Sequence, residues 1–403
     1  MLEQILIAIL LGCFAGIFTG VTPGIHINLV SAVLFSISPF LLKYFHPLSI
    51  GSFIVAMAIT HTFIDFVPSV FLGAPDSSTI LAVLPGHKML LEGKGYEAVK
   101  LSAIGALFCM ILTILLLPLI IFLTPIIYSN LQRFMGWLLL AICAFMIIRE
   151  KTRSKILWSL FIFLISGVLG LLVFNIHILS DPLLPMLSGL FGISMLITSL
   201  NEKVSIPKQN TSTETKLEKK NFIKSIFSGT FSGSIISIFP GMGPSQAAIL
   251  GSQLSGNLGV HGFIILVGGV GTVSMLMSLV TWFSINKARN GAIITIQELL
   301  SSFGIYQFIA LVAVALISAG IAVFLSLYIA KIFAKLITKI NYQKLCISII
   351  ILVSLIVFYF SGFIGLLVLF AATSIGLIPS FTNIGRNHAM GCLLLPVILY
   401  FIL

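Results

Sequence analysis

Charge is the scarcest property of this 403-residue chain: only 8% of its residues are Asp, Glu, Lys or Arg, and 11 are acidic. Soluble domains carry about 25% charged residues. With 59% hydrophobic residues and a mean hydropathy of +1.19, that deficit excludes soluble multidomain enzymes, nucleic-acid binders and disordered scaffolds. The apolar stretches also lack the apolar–polar alternation of a transmembrane β-strand, which excludes a barrel. No Gly-Lys-Ser/Thr phosphate loop and no zinc-protease helix is present, which removes ATP-driven and metalloprotease chemistry. The five cysteines (Cys13, Cys109, Cys143, Cys346, Cys392) lie inside apolar runs without metal-ligand spacing and read as small buried hydrophobes. Neither a metal nor a cofactor is expected. Met1-Leu2-Glu3-Gln4 has no basic n-region, so the first apolar run is read as part of the fold rather than a signal peptide.

What is present is a long series of apolar segments. They fall at about 4–22, 25–42, 48–72, 98–123, 131–148, 155–174 and 183–200, then at about 225–239, 242–258, 261–284, 304–334, 343–361, 363–379 and 388–403. A transmembrane helix needs about 20 such residues. Between the two series, Asn201–Lys224 holds six lysines, three glutamates and Pro207, a composition that reads as a solvated linker. The chain therefore divides into a first transmembrane half (1–200), a polar cytoplasmic linker (201–224) and a second transmembrane half (225–403). Gly12-x3-Gly16-x6-Pro23-Gly24 recurs with identical spacing as Gly229-x3-Gly233-x6-Pro240-Gly241, which indicates internal duplication.

The net charge of +11 reflects basic loops on the cytoplasmic side. Arg149, Lys151, Arg153 and Lys155 lie between the fifth and sixth segments of the first half. In the second half the basic cluster, Lys331, Lys335, Lys339 and Lys344, falls one junction earlier. Equivalent junctions then face opposite sides. The expected fold is an all-α polytopic membrane protein. It has two inverted-topology repeats of about seven apolar segments each, with Pro-Gly-broken re-entrant or discontinuous helices.

Proline removes a backbone donor and glycine lets the chain turn either way, so Pro23-Gly24 and Pro240-Gly241 should break their helices. Broken backbone at membrane depth survives only when buried in protein or lining a cavity. The expected substrate site therefore joins Pro23, Gly24, His26 and Asn28 to Pro240, Gly241, Gly243, Pro244, Ser245 and Gln246. Helix N-termini starting there would present N–H groups to an anion. A second polar zone follows each break. In the first half it holds His61 and Asp65, one turn apart, then Asp76, Ser77 and Ser78. In the second it holds Thr272, Ser274, Ser278, Lys287, Arg289 and Asn290. Intramembrane ionisable residues are costly and are paired or functional. His61, Asp65 and Asp76 are read as ion-coupling residues, and Ser77, Ser78, Lys287 and Arg289 as substrate-binding ones. Two plainer readings stay open: Asp65 as a tie between helices, and Lys287 and Arg289 as external loop residues.

At these motifs the chain resembles the large membrane subunit of the tripartite tricarboxylate transporters. The resemblance rests on the glycine-spaced Pro-Gly in each half and on Gly73-Ala74-Pro75-Asp76-Ser77-Ser78-Thr79. It extends to Pro85-Gly86-His87-Lys88, Gly93-Lys94-Gly95-Tyr96-Glu97-Ala98, Gly189-Leu190-Phe191-Gly192 and His388-Ala389-Met390-Gly391. The chain departs from the family pattern at Ile25-His26-Ile27-Asn28, where another glycine and proline are usual. The resemblance implies uptake of a small carboxylate anion coupled to a proton or sodium gradient. It also implies membrane lipid as surroundings, a small membrane subunit and an extracytoplasmic binding protein as partners, and the cell membrane as location. No enzyme activity and no nucleic-acid partner are expected. The alternative function is a translocase of a polyprenyl-phosphate lipid carrier, whose headgroup would suit His26, Lys287 and Arg289.

Overall fold

A computed structural model of the chain describes residues 1–22, 27–73, 79–177, 179, 182–201, 207–212, 218–238, 243–300, 302–337 and 342–403. The first half contains α1 (Leu2–Val21), α2 (Ile27–Ser36), α3 (Ser38–Leu41), α4 (Pro47–Ile64), α5 (Phe66–Phe71), α6 (Ile80–Leu91), α7 (Gly95–Leu115), α8 (Leu117–Leu131), α9 (Met135–Ile148) and α10 (Arg153–Phe174). It ends with α11 (Leu183–Leu187), a π-helical stretch Ser188–Ile193 and α12 (Ser194–Asn201). The second half contains α13 (Lys219–Ile238), α14 (Pro244–Ser255), α15 (Gly259–Ile285), α16 (Gly291–Leu299), α17 (Ile305–Ile337) and α18 (Tyr342–Thr382). A 3₁₀ turn, Arg386–Met390, leads into α19 (Gly391–Ile402). Among the described residues there is no strand.

The protein is an all-α polytopic membrane protein. Seven helices are long and apolar enough to cross a bilayer, and α8 with α9 forms a sharply bent pair that makes an eighth candidate. Several expected apolar segments are shorter than a span. The run at 25–42 forms α2 and α3, 242–258 forms α14, and 183–200 and 388–403 form short apolar helices. The segments 343–361 and 363–379 are limbs of α18 that meet at Gly362, whose φ of 60° and ψ of −158° only glycine adopts readily.

Two large packing cores organise these helices, and each half of the chain contributes to both. The first draws on α1, α4, α5, α7, α13, α15, α16 and α17. The second draws on α9, α10, α11, the later limb of α18 and α19. Small residues set the crossings, because dispersion and close backbone approach hold helices together in lipid. Gly12 lies on the Phe53 carbonyl and Gly16 on the Met57 carbonyl, so α1 runs parallel to α4. Gly229 faces the Leu266 carbonyl and Gly233 the Val270 carbonyl, so α13 runs parallel to α15. The interval in sequence from Phe53 to Leu266 equals that from Met57 to Val270, so the two pairs of helices cross in the same register.

The second core shows the same exchange. Gly170 of α10 abuts the Cys392 carbonyl, while Gly376 of α18 abuts the Leu190 carbonyl. Gly391 abuts the Phe163 carbonyl, and Gly189 abuts that of Leu369. Here too the interval from Gly170 to Gly376 equals that from Phe163 to Leu369.

The linker fixes direction. Gln209 is buried: its Oε1 accepts from Gly95 N at 2.9 Å and its Nε2 donates to Leu90 O at 2.9 Å, while Asn210 N donates to Gly93 O at 2.8 Å. A solvated linker was the expectation for all of this stretch. Instead, one amide side chain satisfies one carbonyl in the last turn of α6 and the first N–H of α7, groups that helix ends leave open. α7 therefore starts at the linker face, and so does α15, whose His261 lies 3.9 Å from Glu97. α5 ends there, since Phe71 stands beside Gly95 and its ring lies 6.0 Å, tilted, from that of Phe333 near the end of α17. Hence α4 and α5 run toward the linker face and α15 runs away from it.

Candidate functional site

The polar residues of the two halves meet where α4 and α15 cross. Thr62 Oγ1 and Thr272 Oγ1 share a hydrogen bond of 3.1 Å, with both groups buried. At 1.5 Å rise per residue, Thr62 lies about 22 Å along α4 and Thr272 about 20 Å along α15. The contact therefore stands about midway between the two starting ends, inside an apolar core of about 30 Å. Asp65 lies about 5 Å beyond it toward the linker face, and Ser278 about 9 Å beyond it toward the opposite face.

Around Asp65, the first half builds a buried polar cluster. His61 Nδ1 is 3.1 Å from Thr19 Oγ1, which ties α4 to α1 just before the first break. Asp65 is 3% exposed and separates α4 from α5. Ser69 Oγ donates to the Asp65 carbonyl at 2.7 Å and lies 2.5 Å from Thr79 Oγ1. Beyond α5, Gly73 takes a positive φ of 63°. Among the described residues no group of three His, Cys, Asp or Glu could hold a metal ion.

In the second half the corresponding region is basic. Ser237 Oγ donates to Ser274 Oγ at 3.1 Å, tying α13 to α15 just before the second break. α15 ends at Asn286, in the left-handed conformation with φ of 54°. Ser278 Oγ then accepts from Arg289 N at 2.9 Å and Asn290 N at 3.1 Å. Asn290 caps α16, its Oδ1 accepting from Ile293 N at 3.0 Å. The Arg289 guanidinium turns inward. Its Nη2 donates at 2.8 Å to the carbonyl of Ile238, the last residue of α13, while its Nε is buried without a hydrogen-bond partner among the described residues. Lys287 is exposed, and its Nζ donates to Tyr128 OH at 2.5 Å. Both cations stand over the Tyr128 ring, Lys287 Nζ at 4.7 Å and Arg289 Cζ at 5.4 Å from its centroid.

The structure thus places Lys287 at the surface against Tyr128 and turns Arg289 inward to the last residue of α13. Pro244 is the first residue of α14, where its missing N–H costs nothing, and Ser245 is buried beside Gly243. Pro23, Gly24, His26, Asp76, Ser77, Ser78, Pro240 and Gly241 lie outside the described residues, as do the side chains of Asn28 and Gln246. Sequence reasoning missed Thr19, Thr62 and Tyr128. Threonine is common in apolar helices, and Tyr128 is far in sequence from the lysine it meets.

The sequence profile of the family described as "Tripartite tricarboxylate transporter TctA family" matches residues 6–391. The chain is 31% identical over 411 residues to an uncharacterized protein of Methanocaldococcus jannaschii, with 98% of this chain and 99% of that protein aligned. No solved structure matches.

Proposed function

Because the chain belongs to the tripartite tricarboxylate transporter TctA family, we propose that this multi-pass permease carries a small carboxylate anion across the cell membrane, driven by a proton or sodium gradient, and binds it between the two Pro-Gly breaks. The observation that carries the reading is Arg289, a guanidinium without a carboxylate partner among the described residues, held at the second break with a buried Nε left to donate. Guanidinium pairs with carboxylate in a fork of two hydrogen bonds, so the group suits this substrate class.

The register of the two halves supports a division of labour. The offset that carries Phe53 onto Leu266 at the glycine crossings also sets His61 against Ser274, Asp65 against Ser278, and Gly73 against Asn286, the last two being positive-φ residues just beyond α5 and α15. The same offset sets Asp76 against Arg289. The first half is thereby acidic where the second is basic. We read the acidic side, with His61 and Asp65, as the cation's and the basic side, with Lys287 and Arg289, as the anion's. The opposite directions of α4 and α15 favour inverted repeats spanning 1–200 and 225–403. The family's systems are tripartite, so a small membrane subunit and an extracytoplasmic binding protein are the proposed partners.

Reconstitution tests transport. Proteoliposomes holding the purified permease should accumulate labelled citrate under an inward sodium or proton gradient and stop when the gradient is collapsed. Citrate entry that ignores both gradients would refute coupling. Orientation is tested separately. The linker, 201–224, is proposed to be cytoplasmic, so a cysteine replacing exposed Ser212 should resist an impermeant thiol reagent in intact cells and react once they are opened. Labelling in intact cells would reverse the topology.

A further inference from the structure

Away from the two breaks, one arginine at the end of the helices has no counter-charge among the described residues. Arg386 opens the 3₁₀ turn before α19 and is half-buried against α12 and the end of α18. Among the described residues its guanidinium hydrogen-bonds to hydroxyls: Nη2 donates to Ser380 Oγ at 2.8 Å and to Thr198 Oγ1 at 3.5 Å, and Nη1 donates to Ser194 Oγ at 3.4 Å. The Ser194 and Thr198 hydroxyls donate in turn to the Leu190 and Ser194 carbonyls, so their oxygens face the arginine as acceptors. No carboxylate of the described residues lies within ion-pair distance of it. A charge withdrawn from water needs an opposite charge as well as hydrogen bonds.

Among the described residues, the acid of the adjoining turn is engaged by a histidine. Glu150 Oε1 is 3.0 Å from Nε2 of His388, a buried ring two residues beyond Arg386. That contact seats the turn between α9 and α10 beside Arg386. The turn brings Arg149, Lys151, Arg153 and Lys155 to the same edge, four cations against one carboxylate. Directly outside it, Phe145, Ile148 and Leu157 present exposed apolar side chains, and Arg149 Cζ stands 5.9 Å from the Phe145 ring centroid. A basic edge over exposed apolar side chains matches a molecule with an anionic head and apolar tails.

We propose that Arg386, with the basic turn 149–155, binds the phosphate of an anionic membrane phospholipid, whose acyl chains lie along Phe145, Ile148 and Leu157. The guanidinium supplies a charge-assisted hydrogen bond to the phosphate, and the lysines and arginines of the turn add attraction at the leaflet surface. The site is separate from the one at Arg289 and does not depend on the identity of the carried anion.

The test is delipidated permease in a neutral detergent, titrated with phosphatidylglycerol, phosphatidylcholine or inorganic phosphate, with bound lipid counted by native mass spectrometry and stability read by thermal unfolding. Phosphatidylglycerol should bind and raise the unfolding temperature, and the other two should not. Arg386→Gln should weaken phosphatidylglycerol binding about tenfold, as loss of a hydrogen bond to a charged group does, and Arg386→Lys should weaken it less. Should Arg386→Gln not fold, Lys151→Gln with Arg153→Gln reads the same site from the turn and should weaken binding in the same direction. Unchanged lipid binding in these variants would overturn the proposal, and so would an equal response to inorganic phosphate or to phosphatidylcholine. Glu202, which follows α12 in sequence and lies outside the described residues, is the candidate counter-charge to test. If Glu202→Gln alone reproduced the loss of stability of Arg386→Gln and left lipid binding intact, the arginine would belong to an internal pair and the lipid site would fall.

Discussion

Arg289→Ala will weaken carboxylate binding by about 10- to 150-fold, the range that follows from losing a hydrogen bond to a charged group worth about 1.5–3 kcal/mol. Among the described residues the side chain donates to the Ile238 carbonyl and stands over Tyr128, contacts whose loss takes little from the fold. The turn that carries it is held through its backbone, by Ser278 Oγ and by Asn290 as the cap of α16, and neither contact is touched by the substitution. Arg289→Lys should fall between the two, since an ammonium keeps the charge and loses the planar fork. The readout is equilibrium binding of labelled citrate, with size-exclusion behaviour as the control for folding. An alanine variant that binds within about twofold of the parent would place the anion elsewhere, because a twofold change is well under one charged hydrogen bond.

Asp65→Asn will abolish transport and leave a folded protein. Asparagine keeps the volume and one carbonyl acceptor of the carboxylate while removing its charge, so a buried position that needs only shape and hydrogen bonding tolerates it. The second half supplies a sharper control. Ser278 occupies the position that matches Asp65 in the register of the glycine crossings, and its hydroxyl holds two backbone N–H groups of the following turn. If Asp65 served only as such a tie, Asp65→Ser would transport. The expectation is that Asp65→Ser is as inactive as Asp65→Asn, with both variants monodisperse. Transport by either would assign Asp65 to structure alone, and loss of folded protein in both would do the same.

The Pro-Gly positions lie outside the described residues, while the apolar segments were legible because hydropathy is a local property, readable over about 20 residues. Which segments would be short was not, since 25–42 and 242–258 are apolar enough to look like spans. They emerge as α2 with α3 and as α14, pieces beyond the breaks. Gly362 was read as a junction, and its positive φ inside α18 marks it as one. The linker composition predicted solvation, yet Gln209 is buried, because a single amide can close two open helix ends at once and sequence composition does not register such a fit. In the candidate site, charge in an apolar run is what singles out Asp65, His61, Lys287 and Arg289 as proposals. Tyr128, Thr19 and Thr62 carry no such signal, and their partners lie on helices distant in sequence.

The most direct measurement is calorimetric titration of citrate, and in parallel of farnesyl phosphate, into the purified permease with and without sodium and at two proton concentrations. A shared site pair predicts one citrate per chain, tighter when the coupling cation is present, because linkage between two ligands is reciprocal. It also predicts that Arg289→Ala weakens the citrate isotherm and that Asp65→Asn removes its cation dependence. Silence toward citrate, together with cation-independent binding of farnesyl phosphate that Arg289→Ala weakens, would contradict the carboxylate assignment and identify a lipid-phosphate translocase instead.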